Sequence, residues 1–163
     1  MRKKLQYFIN MRNLVRIMKL LVTGGLGFIG SNFISRVFEN HEDWSVVNVD
    51  AELYGSNHQS LKKFENNSKY SFVKGNITNQ ELMDKLISKS DVVVNFAAES
   101  HVDRSISNAR PFIDSNILGV FTLLETIKKM KKKLIHVSTD EVYGSLDSGS
   151  AKEETRLNPS SPY

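Results

Sequence analysis

The chain has 163 residues, 40% hydrophobic and 25% charged, which is ordinary for a globular protein and enough to bury one domain core. It contains no cysteine, which excludes a disulfide framework and thiolate metal ligation. It also has no apolar run near the roughly 18–20 residues needed to cross a bilayer. Of the 22 basic residues, Arg2, Lys3, Lys4, Arg12 and Arg16 lie within residues 1–17, leaving 17 against all 18 acids. The net charge of +4 therefore belongs to one end, and residues 18–163 carry no electrostatic footprint for nucleic acid.

MRKK followed by LQYFIN has the outline of a secretion signal. Its apolar stretch is short, however, is broken by Gln6 and Asn10, and is followed by no small-residue cleavage site. Residues 1–17 read instead as a basic surface extension or an early start, with Met11 or Met18 as the initiator. The lack of cysteine fits a cytoplasmic protein.

From Lys19 onward strand and helix patterns alternate with short connections, the pattern of a parallel sheet covered on both faces. Lys19–Thr23 is an apolar run too short for a helix. Phe28–Phe38 repeats apolar residues at helical spacing. Ser45–Val49 predicts a second strand, Leu61–Phe64 a short helix, and Tyr70–Lys74 a third strand. Thr78-Asn79-Gln80-Glu81 reads as a capping box opening a helix to Ser88, with Thr78 as the cap. Asp91–Asn95 is a valine-rich strand buried on both faces. Pro111 opens a long helix to Met130 with an apolar stripe of Ile113, Ile117, Val120, Phe121, Leu124 and Ile127. Lys133–Ser138 is a fifth strand. The lysines at 128, 129 and 131–133 complement a helix C-terminus, and Gly144–Ser161 is a loose stretch. His136 is expected inside the core and His101 as an organiser of its loop. The four scattered histidines have no carboxylate spacing that suggests a metal.

Thr23-Gly24-Gly25-Leu26-Gly27-Phe28-Ile29-Gly30 joins the first strand to the first helix. Gly25-x-Gly27-x-x-Gly30 supplies a tight turn, close backbone approach to a pyrophosphate, and close packing of helix on strand. The helix N-terminus offers free N–H groups and a partial positive charge to phosphates. Asp50 closes the second strand 20 residues beyond Gly30. An acid there accepts ribose hydroxyls and repels a 2′-phosphate, which favours NAD over NADP. The fold expected is α/β, a Rossmann-type doubly wound parallel sheet of about five strands in the order 3-2-1-4-5.

The segments after the fourth and fifth strands, Asn95-Phe96-Ala97-Ala98-Glu99-Ser100-His101-Val102-Asp103-Arg104-Ser105 and Ser138-Thr139-Asp140-Glu141-Val142-Tyr143-Gly144, sit where open α/β sheets bind ligands. Asp140 and Glu141 beside the hydroxyl of Thr139 can move protons in both directions. Gly24-x-x-Gly27-x-x-Gly30, AAESHVDRSI, STDEVYG and the closing SSPY together resemble the dTDP-glucose 4,6-dehydratases of the extended short-chain dehydrogenase family, over residues 18–163.

That resemblance implies an NAD-dependent lyase acting on a nucleotide-activated hexose. Tyr163 would take the proton of the sugar C4 hydroxyl, Glu141 the C5 proton, and Asp140 would protonate the departing C6 hydroxyl. Thr139 would hydrogen-bond the sugar, and Ser100 would stand near substrate and nicotinamide. Gly24, Gly27, Phe28, Ile29, Gly30, Asp50, Asn76, Ile77, Phe96, Ala97, Ala98, Glu99 and Ser115 match cofactor-binding positions. It also implies a homodimer, with Pro111–Met130 as a candidate face.

Two positions depart from the family pattern. Asn76-Ile77 stands where Asp-Ile is usual; asparagine keeps an acceptor and adds a donor, so adenine contact is altered and not lost. Tyr163 is the last residue, whereas the family motif continues as Tyr-x-x-x-Lys; a tyrosine without that lysine stays near a pKa of about 10 and is a poor base at neutral pH. The expectation is a dinucleotide-binding domain at residues 18–163, with a substrate domain absent from this chain. A related nucleotide-sugar epimerase and a catalytically silent NAD-binding module remain the alternatives.

Overall fold

The computed structural model describes residues 17–146 and 148–163; most of the basic extension expected at residues 1–17 lies outside them. Short apolar runs lose little by extending, and the central strands of a sheet covered on both faces bury successive side chains. Strands β1 (Lys19–Thr23), β2 (Ser45–Asp50), β3 (Tyr70–Lys74), β4 (Val92–Asn95) and β5 (Lys133–His136) form one parallel sheet in the order β3-β2-β1-β4-β5. Leu21 pairs with Val47 on one side and Val93 on the other, which fixes the central register. The strand order reverses between β1 and β4, so a crevice opens at their C-terminal ends.

Successive β1 residues point to opposite faces, and each face has its own core. Leu20 and Val22 pack with Leu26, Ile34, Val37, Phe38, Val46 and Leu61 beneath helix α1 (Phe28–Asn40) and the 3-10 segment His58–Phe64. Leu21 packs with Val49, Ile77, Met83, Ile87, Val93, Leu123 and Ile127, under α2 (Gln80–Ser88) and the last helix of the domain. Fully burying one such side chain stabilises by about 1.5–3 kcal/mol, so either face alone outweighs any single cap or ion pair.

Several elements differ from the sequence-based expectation. The cap of α2 is Asn79, whose side chain accepts the Leu82 amide at 3.0 Å. Thr78 is drawn back instead to Asn76, whose Oδ1 accepts both the Thr78 amide and hydroxyl at 3.0 Å. A short helix α3 (Val102–Ser107) follows β4, where none was anticipated. The helix expected from Pro111 to Met130 is helical throughout but is not uniform. It begins as α4 (Arg110–Phe112), widens into a π-helical stretch (Ile113–Gly119), and continues as α5 (Val120–Met130).

Its apolar stripe divides. Of its six residues only Ile127 is buried and Val120 is half-buried, whereas Ile113, Ile117, Phe121 and Leu124 are exposed, Ile117 and Phe121 at 60% each. The buried residues of this segment are Phe112 and Leu123, outside the expected stripe, and Leu118 is exposed beside it. Helical period identifies an apolar face but not its partner. β5 stops at His136, two residues short of expectation, and its side chains are largely uncovered, His136 among the exposed ones. His136 is not a packed core residue; its Nδ1 lies 3.0 Å from Asn95 Nδ2. Among the described residues no helix is long and apolar enough to cross a membrane.

Candidate functional site

At the C-terminal edge of the sheet lies a cleft of about 520 Å³, within the usual range for a small-molecule or cofactor site. Its floor is the glycine turn. Gly24 has φ +69, and a Cβ on it would lie 2.5 Å from the Ala97 nitrogen, so only glycine lets the β1 and β4 loops approach this closely. A Cβ on Gly30 would collide with the Gly24 carbonyl; that glycine packs the helix against the turn itself and not against the strand. Gly27 caps α1 without a side chain, leaving the first-turn amides with no side-chain acceptor at the cleft. Phe28 and Ile29 open the helix, are 84% and 60% exposed, and form part of the cleft lining.

Asp50 forms the second wall. Its Oδ2 accepts the Leu26 amide at 3.0 Å, and its Oδ1 accepts the Glu52 amide and the Ser56 hydroxyl, both at 2.8 Å. One carboxylate thus organises the glycine turn and the loop after β2. That loop brings Leu53, Tyr54, Gly55 and Ser56 to the cleft, none of which the sequence pattern had singled out. Glu52 sits in the left-handed region at φ +56. Its carboxyl is held below the usual carboxylate range, first by hydrogen bonding to Lys74 and then by His58 at 2.5 Å. Gly75, Asn76 and Ile77 complete this side. Asn76 is exposed and uses its Oδ1 on Thr78, while Ile77 is 4% exposed and largely a core residue.

The loop after β4 supplies Phe96, Ala97, Ala98, Glu99, Ser100 and His101. The Glu99 amide donates to Ser115 Oγ at 3.1 Å and Asn116 Oδ1 at 3.0 Å, and the Glu99 carbonyl accepts from Asn116 Nδ2 at 2.9 Å. Ser115, also in the lining, therefore positions this loop as well as facing the cleft. His101 is the N-cap of α3 but forms no side-chain cap, so it organises its loop only through its carbonyl, which accepts the Ser105 amide at 3.1 Å.

Val137 and Ser138 reach the cleft from the end of β5, and Tyr163 completes it, its ring edge-on to Phe112 with centroids 5.9 Å apart. Thr139, Asp140 and Glu141 follow at once but are not part of the lining. They open a 3-10 turn, Asp140–Tyr143, which Thr139 caps by accepting the Glu141 amide at 3.2 Å. The cleft thus gathers all thirteen positions anticipated for a cofactor together with Ser100 and Tyr163, and leaves the Thr-Asp-Glu group one step outside. The loose stretch after Gly144 folds back beside it, with the Asn158 amide on the Val142 carbonyl at 3.0 Å.

Comparison with known proteins matches this architecture. A dTDP-glucose 4,6-dehydratase of Mycobacterium tuberculosis is 46% identical over 149 residues, covering 90% of this chain and 44% of that protein. The crystal structure of a dTDP-glucose 4,6-dehydratase from Bacillus anthracis in complex with NAD superposes with a TM-score of 0.81 at 46% identity, over 90% of this chain and 45% of that one. The Streptomyces venezuelae dTDP-glucose 4,6-dehydratase, solved with NAD bound, gives a TM-score of 0.85 at 42% identity, over 90% and 47%. The chain spans somewhat less than half the length of these relatives. Residues 21–163 match the family model described as GDP-mannose 4,6 dehydratase. With the strand order, the glycine cradle and 143 residues of sequence in agreement, the chain belongs to the GDP-mannose 4,6-dehydratase family.

Proposed function

We propose that this chain is the NAD-binding domain, residues 18–163, of an enzyme that dehydrates a nucleotide-activated hexose, converting dTDP-glucose to its 4-keto-6-deoxy product. The observation that carries the reading is the convergence on one cleft of an uncapped helix start, the Asp50 carboxylate and the Tyr163 phenol. The cradle fits a dinucleotide: phosphates meet the backbone at Gly24, Gly27, Phe28, Ile29 and Gly30, and the ribose meets Asp50. Asn76 and Ile77 flank the adenine, and Phe96, Ala97, Ala98, Glu99 and Ser115 flank the nicotinamide half. The related structures with NAD bound, at 46% and 42% identity, support this assignment.

NAD bound in this cradle would supply a hydride acceptor for the sugar C4 and a hydride donor for C6. The chain's residues handle the protons. Tyr163 takes the C4 hydroxyl proton, and Thr139 hydrogen-bonds that oxygen as charge develops. Glu141 removes the C5 proton, Asp140 donates a proton to the C6 hydroxyl that leaves as water, and Ser100 helps hold the sugar beside the nicotinamide. The position of Thr139–Glu141 immediately after cleft residue Ser138 supports this division of labour.

The protein is a cytoplasmic homodimer in this reading, and the exposed apolar row from Ile113 to Leu124 is its contact surface. Incubation of the whole enzyme that carries this domain with NAD and dTDP-glucose, followed by mass spectrometry and NMR of the sugar, tests the activity. A product lighter by one water with a C4 ketone is expected; a C4 epimer of unchanged mass overturns dehydration, and NADH binding without turnover reduces the chain to a binding module.

A further inference from the structure

Two walls of the cleft are joined by a residue that does not line it. The guanidinium carbon of Arg104, on α3, lies 4.3 Å from the ring centroid of Tyr54 in the loop after β2. Its Nη1 lies 3.6 Å from Oε2 of Glu99, in the loop after β4. That Nη1 is buried and has no hydrogen-bond partner among the described residues, so the guanidinium is held by the ring and by charge. Tyr54 is 73% exposed and makes no contribution to either core. An exposed tyrosine stacked on a half-buried arginine has no packing reason to stay there. What it does is tie the loop after β2, anchored through Asp50 and Ser56, to the loop after β4, fixed by Ser115 and Asn116.

We propose that Arg104 is a positioning residue that acts as a clasp on the bound dinucleotide: its stack on Tyr54 holds the loop after β2 across the cleft and sets how fast the cofactor leaves. The inference rests on the dinucleotide-binding reading above. A planar guanidinium suits the task because it stacks on an aromatic face while keeping its edge toward a carboxylate. A cofactor that gives up and recovers hydride within one cycle gains nothing from exchange, and a clasp keeps it in place between turnovers.

The test is the dissociation rate of NADH from the purified protein, followed by its fluorescence after mixing with excess NAD. Tyr54→Ala and Arg104→Met each speed release by about five- to tenfold, the size of a partly desolvated cation–π contact. Tyr54→Phe, which keeps the ring, releases at nearly the original rate, and Tyr54→Ala with Arg104→Met is no faster than either alone. Because Arg104→Met leaves Glu99 buried without its cation, the exposed Tyr54→Ala carries the decision if the arginine variant does not fold. Unchanged release from Tyr54→Ala, or effects that multiply in the double variant, overturns the clasp while leaving the dinucleotide site intact. Failure of the unsubstituted protein to bind NADH overturns that site and the clasp with it.

Discussion

The Leu26 amide donates to Asp50 Oδ2 at 3.0 Å, so the residue that ends β2 also shapes the turn that ends β1. Asp50 is 7% exposed and satisfies three donors. Asp50→Ala leaves the Leu26 and Glu52 amides and the Ser56 hydroxyl without their acceptor and is expected to cost about 2–3 kcal/mol of stability. It also weakens NADH binding. Asp50→Asn keeps one oxygen and falls between the two. Thermal melts with and without NADH separate the structural loss from the loss of ribose contact.

Gly24→Ala is expected to abolish NADH binding and to lower the melting temperature by several degrees. The new Cβ meets Ala97 backbone at 2.5 Å, and the residue must also hold φ +69. Gly55→Ala is the control, since φ there is +88 but no atom lies within 4 Å of the added carbon. It costs only the backbone penalty, about 1 kcal/mol. Equal melting temperatures for the two variants would remove the close approach of the β1 and β4 loops as the reason for a glycine at position 24.

Two groups set opposite limits on stability with pH. Asp84 on α2 is held below the usual carboxylate range, first by Gln80, then by Thr126 and Lys129 on α5. Its contribution is present above the ordinary carboxylate pKa and is lost as pH falls through the lowered value. Tyr70 is pushed up chiefly by burial, partly offset by its hydrogen bond from Asn48. Its contribution is complete below the ordinary phenol pKa and is lost as pH rises through the raised one. Melting temperature against pH should therefore flatten on the acid limb in Asp84→Asn and on the alkaline limb in Tyr70→Phe.

Phe121→Glu and Ile117→Lys place charges on the exposed apolar row without touching either core. Sedimentation is expected to show the parent as a dimer and each variant as a monomer with a melting temperature within a few degrees. A parent that sediments as a monomer, or variants that remain dimeric, rules out this face.

Glu141→Gln is expected to bind NADH as the parent does and to lose dehydration by at least about a hundredfold, the usual worth of a positioned acid or base. NADH titration alongside the product assay checks both. Weakened NADH binding would move Glu141 from sugar chemistry to cofactor binding.

The strands and the glycine turn were legible because their determinants are local. Lys19–Thr23 and Tyr70–Lys74 are apolar or aromatic runs bounded by turn residues, and the structure keeps those bounds. The cap at Asn79 was misread because Asn76, Thr78 and Asn79 all bear suitable oxygens, and only packing decides which faces the helix start. The exposure of His136, Ile117 and Phe121 depends on what lies outside the strand or helix, which a period of two or 3.6 does not encode. Tyr54 escaped notice for a related reason. It sits in a polar loop, and its significance comes from Arg104, 50 residues away in the chain.

The π-helical stretch has a mechanical consequence. Its wider turn sets Ser115 and Asn116 so that both reach the Glu99 amide, and Asn116 also holds the Glu99 carbonyl. With both its amide and its carbonyl gripped, Glu99 cannot pivot independently of the helix that grips it. A displacement of that helix along its own axis, of the kind a neighbour pressing on Ile117 or Phe121 would produce, therefore carries the loop after β4, and with it one wall of the cleft.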